Sequence, residues 1–217
     1  MRLLVLGASG ATGQWVTRLA AGRGHAVTAA VRPETPYRAP DGVEVVRGSV
    51  MKPSFLALLL SAADAVISCL GLRRRSLLPW STLLSPPDLV ERVTRIVVDA
   101  PRSRELQRFV WISAGGVGDS VAQTSAPVRL LIGAGHVGTA YRDLEAAERV
   151  LAKSSIPSLA VRPVTLMHGR PTGVVGPVSR YGLLSTVRRS DVATWMLDVA
   201  DGSSSFPGSQ VLLGRRR

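Results

Sequence analysis

The strongest constraint on the fold is an alternation of short apolar runs with longer segments in which apolar residues recur about every 3.6 positions. The short runs are continuous, which is typical of parallel strands buried on both faces. These predicted strands lie at residues 3–6, 26–31, 43–46, 65–69, 109–113, 158–162 and 210–213. The predicted helices begin near residues 12, 53, 89, 139 and 190 and end near residues 22, 60, 100, 153 and 199. Seven strands with helical spacers of unequal length favour an α/β fold with a doubly wound, mainly parallel sheet and helices on both faces over a closed barrel.

Length and composition fit one domain. The chain has 217 residues, 46% of them apolar, which suffices for one substantial core and is too little for two full domains. Because no repeat or linker is found, we expect a single domain over residues 1–217. The apolar run at residues 55–60 is far below the roughly 20 residues needed to cross a bilayer, and no signal-peptide pattern is found. We therefore expect a cytoplasmic protein with no membrane contact.

Metal-binding residue types are sparse. The single cysteine, Cys69, excludes an intramolecular disulfide and a multi-cysteine metal site. The three histidines, His25, His136 and His168, are spread along the chain. We therefore expect no bound metal.

The formal net charge is +12, and 25 of the 27 basic residues are arginines. The arginine clusters at residues 73–75, 188–189 and 215–217 are short and have no interleaved aromatic residues for base stacking. A dispersed excess of arginine is typical of a solvated surface, so we expect no nucleic-acid partner.

The segment Gly7-Ala8-Ser9-Gly10-Ala11-Thr12-Gly13 joins the first predicted strand to the first helix. Small residues in this context let the backbone approach a pyrophosphate, while the N–H groups and the dipole of the helix N-terminus stabilise its charge. The pattern therefore predicts a dinucleotide site. A tight turn whose small residues serve packing alone is the alternative.

The end of the second strand indicates which dinucleotide binds. NAD-specific proteins usually carry an acidic residue there for the ribose hydroxyls, whereas this chain has Val31-Arg32-Pro33. The guanidinium of Arg32 suits a 2′-phosphate, and no carboxylate directly follows the strand. We therefore predict NADP(H), with a role for Arg32 as one more surface arginine as the alternative.

The ordered set of motifs resembles atypical short-chain dehydrogenase/reductases of the NAD(P)H-binding, NmrA-like and biliverdin/flavin reductase type. The resemblance covers nearly the whole chain. The matching segments are residues 7–13, 31–33, 64–71, 108–113, 148–151 and 160–163, together with Ser190-Asp191-Val192-Ala193, which is similar to the (R/S)-x-D-V-A helix start of the family.

The resemblance implies a Rossmann-like fold that binds NADP(H) at the carboxyl ends of the strands, with the substrate pocket formed by C-terminal loops. On the phosphates it places Gly7, Ser9, Gly10, Ala11, Thr12 and Gly13, with Arg32 on the 2′-phosphate. Around the nicotinamide it places Cys69, Leu70, Gly71, Ser113, Pro163, Val164, Thr165 and Leu166. One departure is Ser49, where many relatives carry an aspartate near the adenine.

Ordinary short-chain dehydrogenases use a Tyr-x-x-x-Lys pair, in which the lysine lowers the pKa of the tyrosine. The comparable spacing here joins Tyr141 to Glu145, whose charge disfavours the tyrosinate form. Reduction of a simple ketone by that mechanism is therefore not expected. A conjugated acceptor delocalises negative charge and can take its proton from solvent, so the protein would mainly position the reactants.

Several further residues are candidate parts of the site. Ser113, at the end of the fifth strand, is the catalytic candidate, as a donor to the acceptor oxygen; a hydrogen bond to nearby backbone is the alternative. His136 and His168 are interpreted as loop residues, with a role in the pocket open for His136. The cluster at residues 73–75 either attracts an anionic acceptor or is a solvated loop. Trp80 and Trp111 are interpreted as partly buried packing residues, with a stacking surface for the ligand as the alternative, and Cys69 is interpreted as a packing residue.

These interpretations together predict an NADPH-dependent reductase that transfers hydride to a small conjugated acceptor, such as a flavin, a quinone or an intermediate of secondary metabolism. Two alternatives stay open: a non-catalytic NADP(H) sensor, and a non-redox isomerase or cyclase on the same fold. The sequence does not indicate an oligomeric state.

Overall fold

The structure, a computed structural model, describes residues 1–76, 78, 80–101 and 106–216. Over these residues the strands are β1 (Arg2–Leu6), β2 (Ala26–Val31), β3 (Val43–Arg47), β4 (Ala65–Ser68), β5 (Arg108–Ile112), β6 (Ser158–Pro163), β7 (Thr165–Met167), β8 (Val175–Pro177), β9 (Thr186–Arg188) and β10 (Gln210–Arg215). The helices are α1 (Gly13–Gly22), α2 (Pro53–Ser61), α3 (Leu89–Asp99), α4 (Ala126–Gly133), α5 (Gly135–Ala152) and α6 (Arg189–Ala200), with a 3₁₀ helix at Gly118–Gln123.

The main sheet contains eight strands in the order β3-β2-β1-β4-β5-β6-β10-β8. Neighbouring strands are parallel except for β8, which pairs antiparallel with β10 at one edge. Strands β7 and β9 form a separate parallel pair. The predicted doubly wound, mainly parallel sheet is confirmed.

Each face of the sheet carries its own apolar layer. Residues of α1 and α6 pack on one face, against side chains such as Val5 and Ile67. Residues of α2, α3 and α5 pack on the other, against side chains such as Leu6, Phe109 and Trp111. Both faces of the central strands are therefore buried, which explains why their sequences are continuously apolar.

The ends of several helices follow from local sequence. Helix α1 ends before Gly24, which has φ +75°, a value that glycine adopts without strain. Helix α2 begins with Pro53, as predicted, because the first turn needs no N–H donor there.

Helix α3 is capped by a residue distant in sequence. Asp88 makes no cap bond through its side chain; the carboxylate of Asp143 on α5 instead accepts the N–H groups of Val90 and Glu91, at 3.0 and 2.8 Å. Burial raises the pKa of Asp143, and the two N–H donors partly offset that shift.

The predictions missed short elements between β5 and α6, and the count of seven strands was too low. The 3₁₀ helix, α4, β7, β8 and β9 were not predicted, and α5 begins four residues before the predicted start. Three-residue strands are too short to show a periodicity, and in α4 only Val128 is buried, so that helix has no continuous apolar stripe. Strand β8 contains Gly176 and Pro177, which are tolerated at a sheet edge.

Candidate functional site

The parallel strands bring several loops to one edge of the sheet. The carboxyl ends of β1, β2, β4, β5 and β6 all lie there, and each is followed by residues that the sequence analysis placed in the site. Ligands of doubly wound sheets bind at this edge.

The loop from Gly7 to Gly13 is shaped by close backbone contacts. Gly7 has φ +74°, and a Cβ on it would lie 2.9 Å from the carbonyl oxygen of Cys69. A Cβ on Gly13 would lie 2.2 Å from the carbonyl oxygen of Gly7, so no other residue fits there without a shift of the backbone. At Gly10 the same carbonyl oxygen would be 3.2 Å away, which is tight but not prohibitive within the protein.

The rim of this loop is open to an anionic group. Gly10 and Ala11 are exposed and Ser9 is half-buried, directly before the N-terminus of α1. The side chain of Thr12 makes no cap bond, and the first turn of the helix contains no acidic residue. The helix N-terminus therefore offers its N–H groups and its positive dipole end to a ligand, and the glycines leave room for that ligand against the backbone.

The end of β2 presents two arginines. Arg32 has a side chain that is 40% exposed, and its Nε lies 3.5 Å from a carboxylate oxygen of Glu34. No carboxylate directly follows β2, since Arg32 and Pro33 come next, but Glu34 two residues beyond Arg32 brings a carboxylate to its guanidinium. Nη1 of Arg47, on the neighbouring strand β3, donates to the carbonyls of Arg32, Pro33 and Thr35 at 3.4, 3.2 and 3.0 Å.

The residues after β4 lie against the glycine loop. The N–H of Cys69 donates to the carbonyl of Leu6 at 2.8 Å, and the peptide between Cys69 and Leu70 contacts Gly7. Burial raises the pKa of the Cys69 thiol to about 12, which keeps it neutral near pH 7. Gly71 is exposed, and a Cβ on it would meet no neighbouring atom.

Ser113 belongs to a partly buried polar network under α5. Its Oγ donates to a carboxylate oxygen of Glu148 at 2.7 Å, and Ser113 itself is 6% exposed. The two oxygens of Glu148 also accept bonds from Nε and Nη2 of Arg162, at 2.9 and 2.5 Å. Nη1 of Arg162 bonds Asp119, and Gln210 bridges Arg162 and Asp119.

The network shifts the pKa values of Arg162 and Asp119 toward their charged forms. Burial disfavours the charge on Arg162, but the carboxylates of Glu148 and Asp119 outweigh that effect and hold the pKa of Arg162 above its ordinary value. The hydrogen bond and charge of Arg162 lower the pKa of Asp119. The hydroxyl of Ser113 is therefore bonded to a carboxylate whose partner is a permanent cation.

The segment after β6 faces a second tyrosine. Pro163 and Val164 are buried, while Thr165 is exposed. The hydroxyls of Thr165 and Tyr181 lie 3.0 Å apart, and the carbonyl of Leu166 accepts a bond from Arg189 at 3.1 Å. These contacts hold the segment across the end of the sheet.

Tyr141 and Glu145 do not pair. The hydroxyl of Tyr141 donates to the carbonyl of Gly115 at 3.0 Å, and burial raises the pKa of this tyrosine above its ordinary value. The carboxylate of Glu145 instead lies 3.3 Å from Arg149 on the outside of α5. Tyr141 therefore acts here as a buried donor to backbone.

The remaining candidates lie further out. Nδ1 of His136 lies 2.8 Å from the carbonyl of Ser81, so this histidine joins α5 to the loop that carries Trp80. Trp80 is 71% exposed, whereas Trp111 is buried in the core. His168 lines a small cavity with Asp191 and Arg188. The cluster at residues 73–75 pairs its backbone with residues 82–84, and Arg217 of the C-terminal cluster lies outside the described residues.

No group of three or more His, Cys, Asp or Glu side chains in the described part of the chain could hold a metal ion. Within the same residues, no helix has the length and apolar character needed to span a membrane.

Comparison with known proteins decides the family. The model of the NAD(P)H-binding family matches residues 7–202, from the first glycine of the loop to the turn after α6. The chain belongs to the NAD(P)H-binding family. The family predicted from the motifs is confirmed, and a nicotinamide dinucleotide is the cofactor of this family.

One relative is an uncharacterized chloroplastic protein of Arabidopsis thaliana, 30% identical over 181 residues. The match covers 80% of this chain and 62% of the relative, so the chain spans about three fifths of that protein's length.

Solved structures show the same fold. ChuY of Escherichia coli O157:H7, described as an anaerobillin reductase, is 23% identical, with a TM-score of 0.74 over 98% of this chain and 96% of that one. A short-chain dehydrogenase/reductase of Veillonella parvula in complex with NADP is 15% identical, with a TM-score of 0.72 over 99% and 94% of the two chains.

Sequence reasoning did not find the partners of Ser113. Glu148, Arg162 and Asp119 come from three separate elements, and only the fold brings them together. An arginine inside the apolar sixth strand was the one available signal, because a buried charge requires a partner. Tyr181 lies in a segment for which no element was predicted.

Proposed function

We propose that the protein is an NADPH-dependent reductase that transfers hydride to a small conjugated acceptor, such as a flavin, a quinone or an intermediate of secondary metabolism. The proposal rests on the loop from Gly7 to Gly13. This loop precedes the N-terminus of α1, which is accessible to a ligand, and it lies at the edge where doubly wound parallel sheets bind ligands. The loop fits a pyrophosphate because Gly7 and Gly13 are required by the backbone itself, while Gly10 faces outward with space in front of it.

In this proposal the phosphates lie against Gly7, Ser9, Gly10, Ala11, Thr12 and Gly13. The residues around the nicotinamide are Cys69, Leu70, Gly71, Ser113, Pro163, Val164, Thr165 and Leu166. When bound, NADPH supplies the hydride. The protein would bind and orient the cofactor and acceptor and exclude water, which is the larger part of catalysis when the acceptor stabilises its own charge.

The preference for NADPH rests on Arg32. Its contact with Glu34 is long and solvent-exposed, and ion pairs of this kind contribute only about 0–1 kcal/mol. A 2′-phosphate carries more charge than one carboxylate and can accept two bonds from the guanidinium, so it can replace Glu34 as the partner. Arg47 lies beside the same loop and adds positive charge.

The proton for the acceptor would come from solvent. Tyr141 is a poor acid–base candidate because its hydroxyl is bonded to the carbonyl of Gly115 and no lysine stands at residue 145. Ser113 stays the catalytic candidate, with a limited role. To donate to the acceptor its hydroxyl must leave Glu148, a charged and therefore strong acceptor.

The first test is calorimetric titration of the wild type and Arg32→Ala with NADPH and NADH. We expect tighter binding of NADPH by the wild type and loss of that preference in the variant, with little change for NADH. Equal affinity of the wild type for both cofactors would overturn the preference. A preference that survives in Arg32→Ala would move the phosphate contact to Arg47.

The second test is NADPH oxidation with a panel of flavins, quinones and enones. Turnover with at least one conjugated acceptor is expected. Tight NADPH binding without oxidation by any acceptor would reject the reductase and favour a sensor or a non-redox enzyme.

A further inference from the structure

An open groove lies beyond the end of β6, between the β8–β10 edge of the sheet and residues 178–186. Its volume is about 1780 Å³, and Val164, one of the proposed nicotinamide neighbours, forms part of its wall. We call this the edge groove. Because it adjoins the proposed hydride-transfer site, a molecule bound in it can extend to the nicotinamide.

The charge of the edge groove is entirely positive. Arg180, Arg215 and Arg216 line it, and its lining contains no aspartate or glutamate. All three arginines are exposed, and none of them forms an ion pair within the described part of the chain. By contrast, Arg162, two residues before Val164, is bonded to two carboxylates. The edge groove therefore concentrates cationic charge that the protein itself leaves unmatched.

Gly214 lines the groove, and Gly176 lies beneath one of its arginines. Gly176 of β8 and Gly214 of β10 are directly opposite each other in the antiparallel pair. A Cβ on Gly176 would lie 2.0 Å from Nε of Arg216, so the guanidinium of Arg216 rests against the backbone of β8. The absence of a side chain at Gly176 therefore sets the position of Arg216.

The lip of the groove is apolar. Leu183 is 58% exposed and Leu184 is 95% exposed, next to the three arginines. Large aliphatic side chains exposed together at a cavity are typical of a surface that contacts a ligand. The groove therefore pairs an apolar surface with several cationic donors.

We propose that the edge groove binds the hydride acceptor by an anionic group, so that the acceptor is an amphipathic conjugated molecule that carries a phosphate or carboxylate. The inference rests on the proposed reductase function for the identity of the ligand as acceptor. The arginines hold the anionic group, the apolar lip covers the conjugated body, and the reacting end lies toward Val164.

The probes are FMN and riboflavin, which share one conjugated ring system and differ by a phosphate. Binding is measured by quenching of flavin fluorescence without NADPH, so the result does not depend on turnover. The double variant Arg180→Gln/Arg216→Gln is expected to weaken FMN binding about tenfold or more and to leave riboflavin within about twofold, since charge-assisted bonds are lost only for the phosphate. Arg92→Gln, on the exposed side of α3, removes an arginine charge far from the groove. It should alter the binding of neither FMN nor riboflavin.

Gly176→Ala tests the same groove without a change of charge. The added methyl group displaces Arg216, so FMN should bind about threefold more weakly, while thermal unfolding shows that the fold is kept. Steady-state assays should show the effect of the double variant in KM for FMN, with the affinity for NADPH unchanged.

The outcomes separate the two proposals. Equal binding of FMN and riboflavin by the wild type, or unchanged FMN binding in the double variant, overturns the edge groove whether or not the protein is a reductase. Arginine-dependent FMN binding without NADPH oxidation by any acceptor keeps the groove as an anion site and rejects its role in reduction.

Discussion

The two ends of the candidate site are built by different kinds of contact. At the β1 end, the loop from Gly7 to Gly13 is set by distances between backbone atoms of residues close in sequence. At the end formed by β5 and β6, Ser113 donates to Glu148 of α5, which in turn is held by Arg162 of β6, and Arg162 also bonds Asp119 of the 3₁₀ helix. In the proposed function the first end would hold the cofactor in space that its glycines leave free, whereas the second end positions its polar groups by pairing charges.

Substitutions at the two ends should therefore affect different properties of the protein, namely cofactor binding at one and stability at the other. Damage to the glycine loop should remove binding and spare stability, because the loop's outer glycine contacts little of the protein. Damage to the charge network should reduce stability first, because an unpaired buried charge is costly. The following variants test that division, beginning with the largest expected effect.

Glu148→Leu should lower the free energy of unfolding by about 3 kcal/mol, at the lower end for breaking a buried ion pair because Asp119 and Gln210 still bond the guanidinium of Arg162. Chemical denaturation at pH 7 measures the loss. Glu145→Leu, one turn earlier on the exposed side of α5, should change stability by less than about 0.5 kcal/mol. The double variant Glu148→Leu/Arg162→Leu should recover most of the loss; if it is no more stable than Glu148→Leu, the cost does not come from the part of the Arg162 charge that Glu148 offsets.

Gly10→Val should reduce the affinity for NADPH about a hundredfold or more, equivalent to about 2.7 kcal/mol, because the side chain fills space needed by the pyrophosphate. Its Cβ meets only the carbonyl of Gly7 at 3.2 Å, so the protein should still fold. Gly22→Ala, where an added Cβ meets nothing, is the matched control. Wild-type affinity in folded Gly10→Val would show that this loop does not hold the phosphates.

Ser113→Ala should lower kcat about tenfold, and Tyr141→Phe should stay within about threefold of wild type, both in steady-state NADPH oxidation with an acceptor established for the protein. The expected decrease in kcat for Ser113→Ala is at the low end of the range for loss of a hydrogen-bond donor, because the Ser113 hydroxyl already donates to Glu148. Near-complete inactivation of Tyr141→Phe beside normal Ser113→Ala would restore a tyrosine-based mechanism and reverse the roles assigned here.

Cys69→Ala should have the smallest effect, with kcat and the affinity for NADPH within about twofold of wild type. The thiol, with a pKa of about 12, is neutral over the working range, so the pH profile of kcat between pH 6 and 9 should be unchanged. A profile that loses a titration step in this variant would make the thiol part of the chemistry and weaken the view that the β1 end works through backbone alone.

The fold was predictable where sequence pattern and burial agree. Continuous apolar runs such as β1 and β4 are buried on both faces, so their composition alone marks them as central strands. The short elements β7, β8 and β9 were missed, since three residues at an edge carry too little pattern to be recognised. The edge groove lies among these missed elements, so its arginines appeared in the sequence only as part of a dispersed basic surface.

The sequence by itself determined the longer strands and helices, the glycine loop and the arginine after β2, because each depends on residues within a few positions of one another. The tertiary structure alone decided that Asp143 caps α3 and that Glu148 accepts the hydroxyl of Ser113. The physical reason is the difference in range. Backbone conformation is set by local sterics, whereas the partner of a buried or half-buried polar group is whichever complementary group the packing of distant elements brings within about 3 Å.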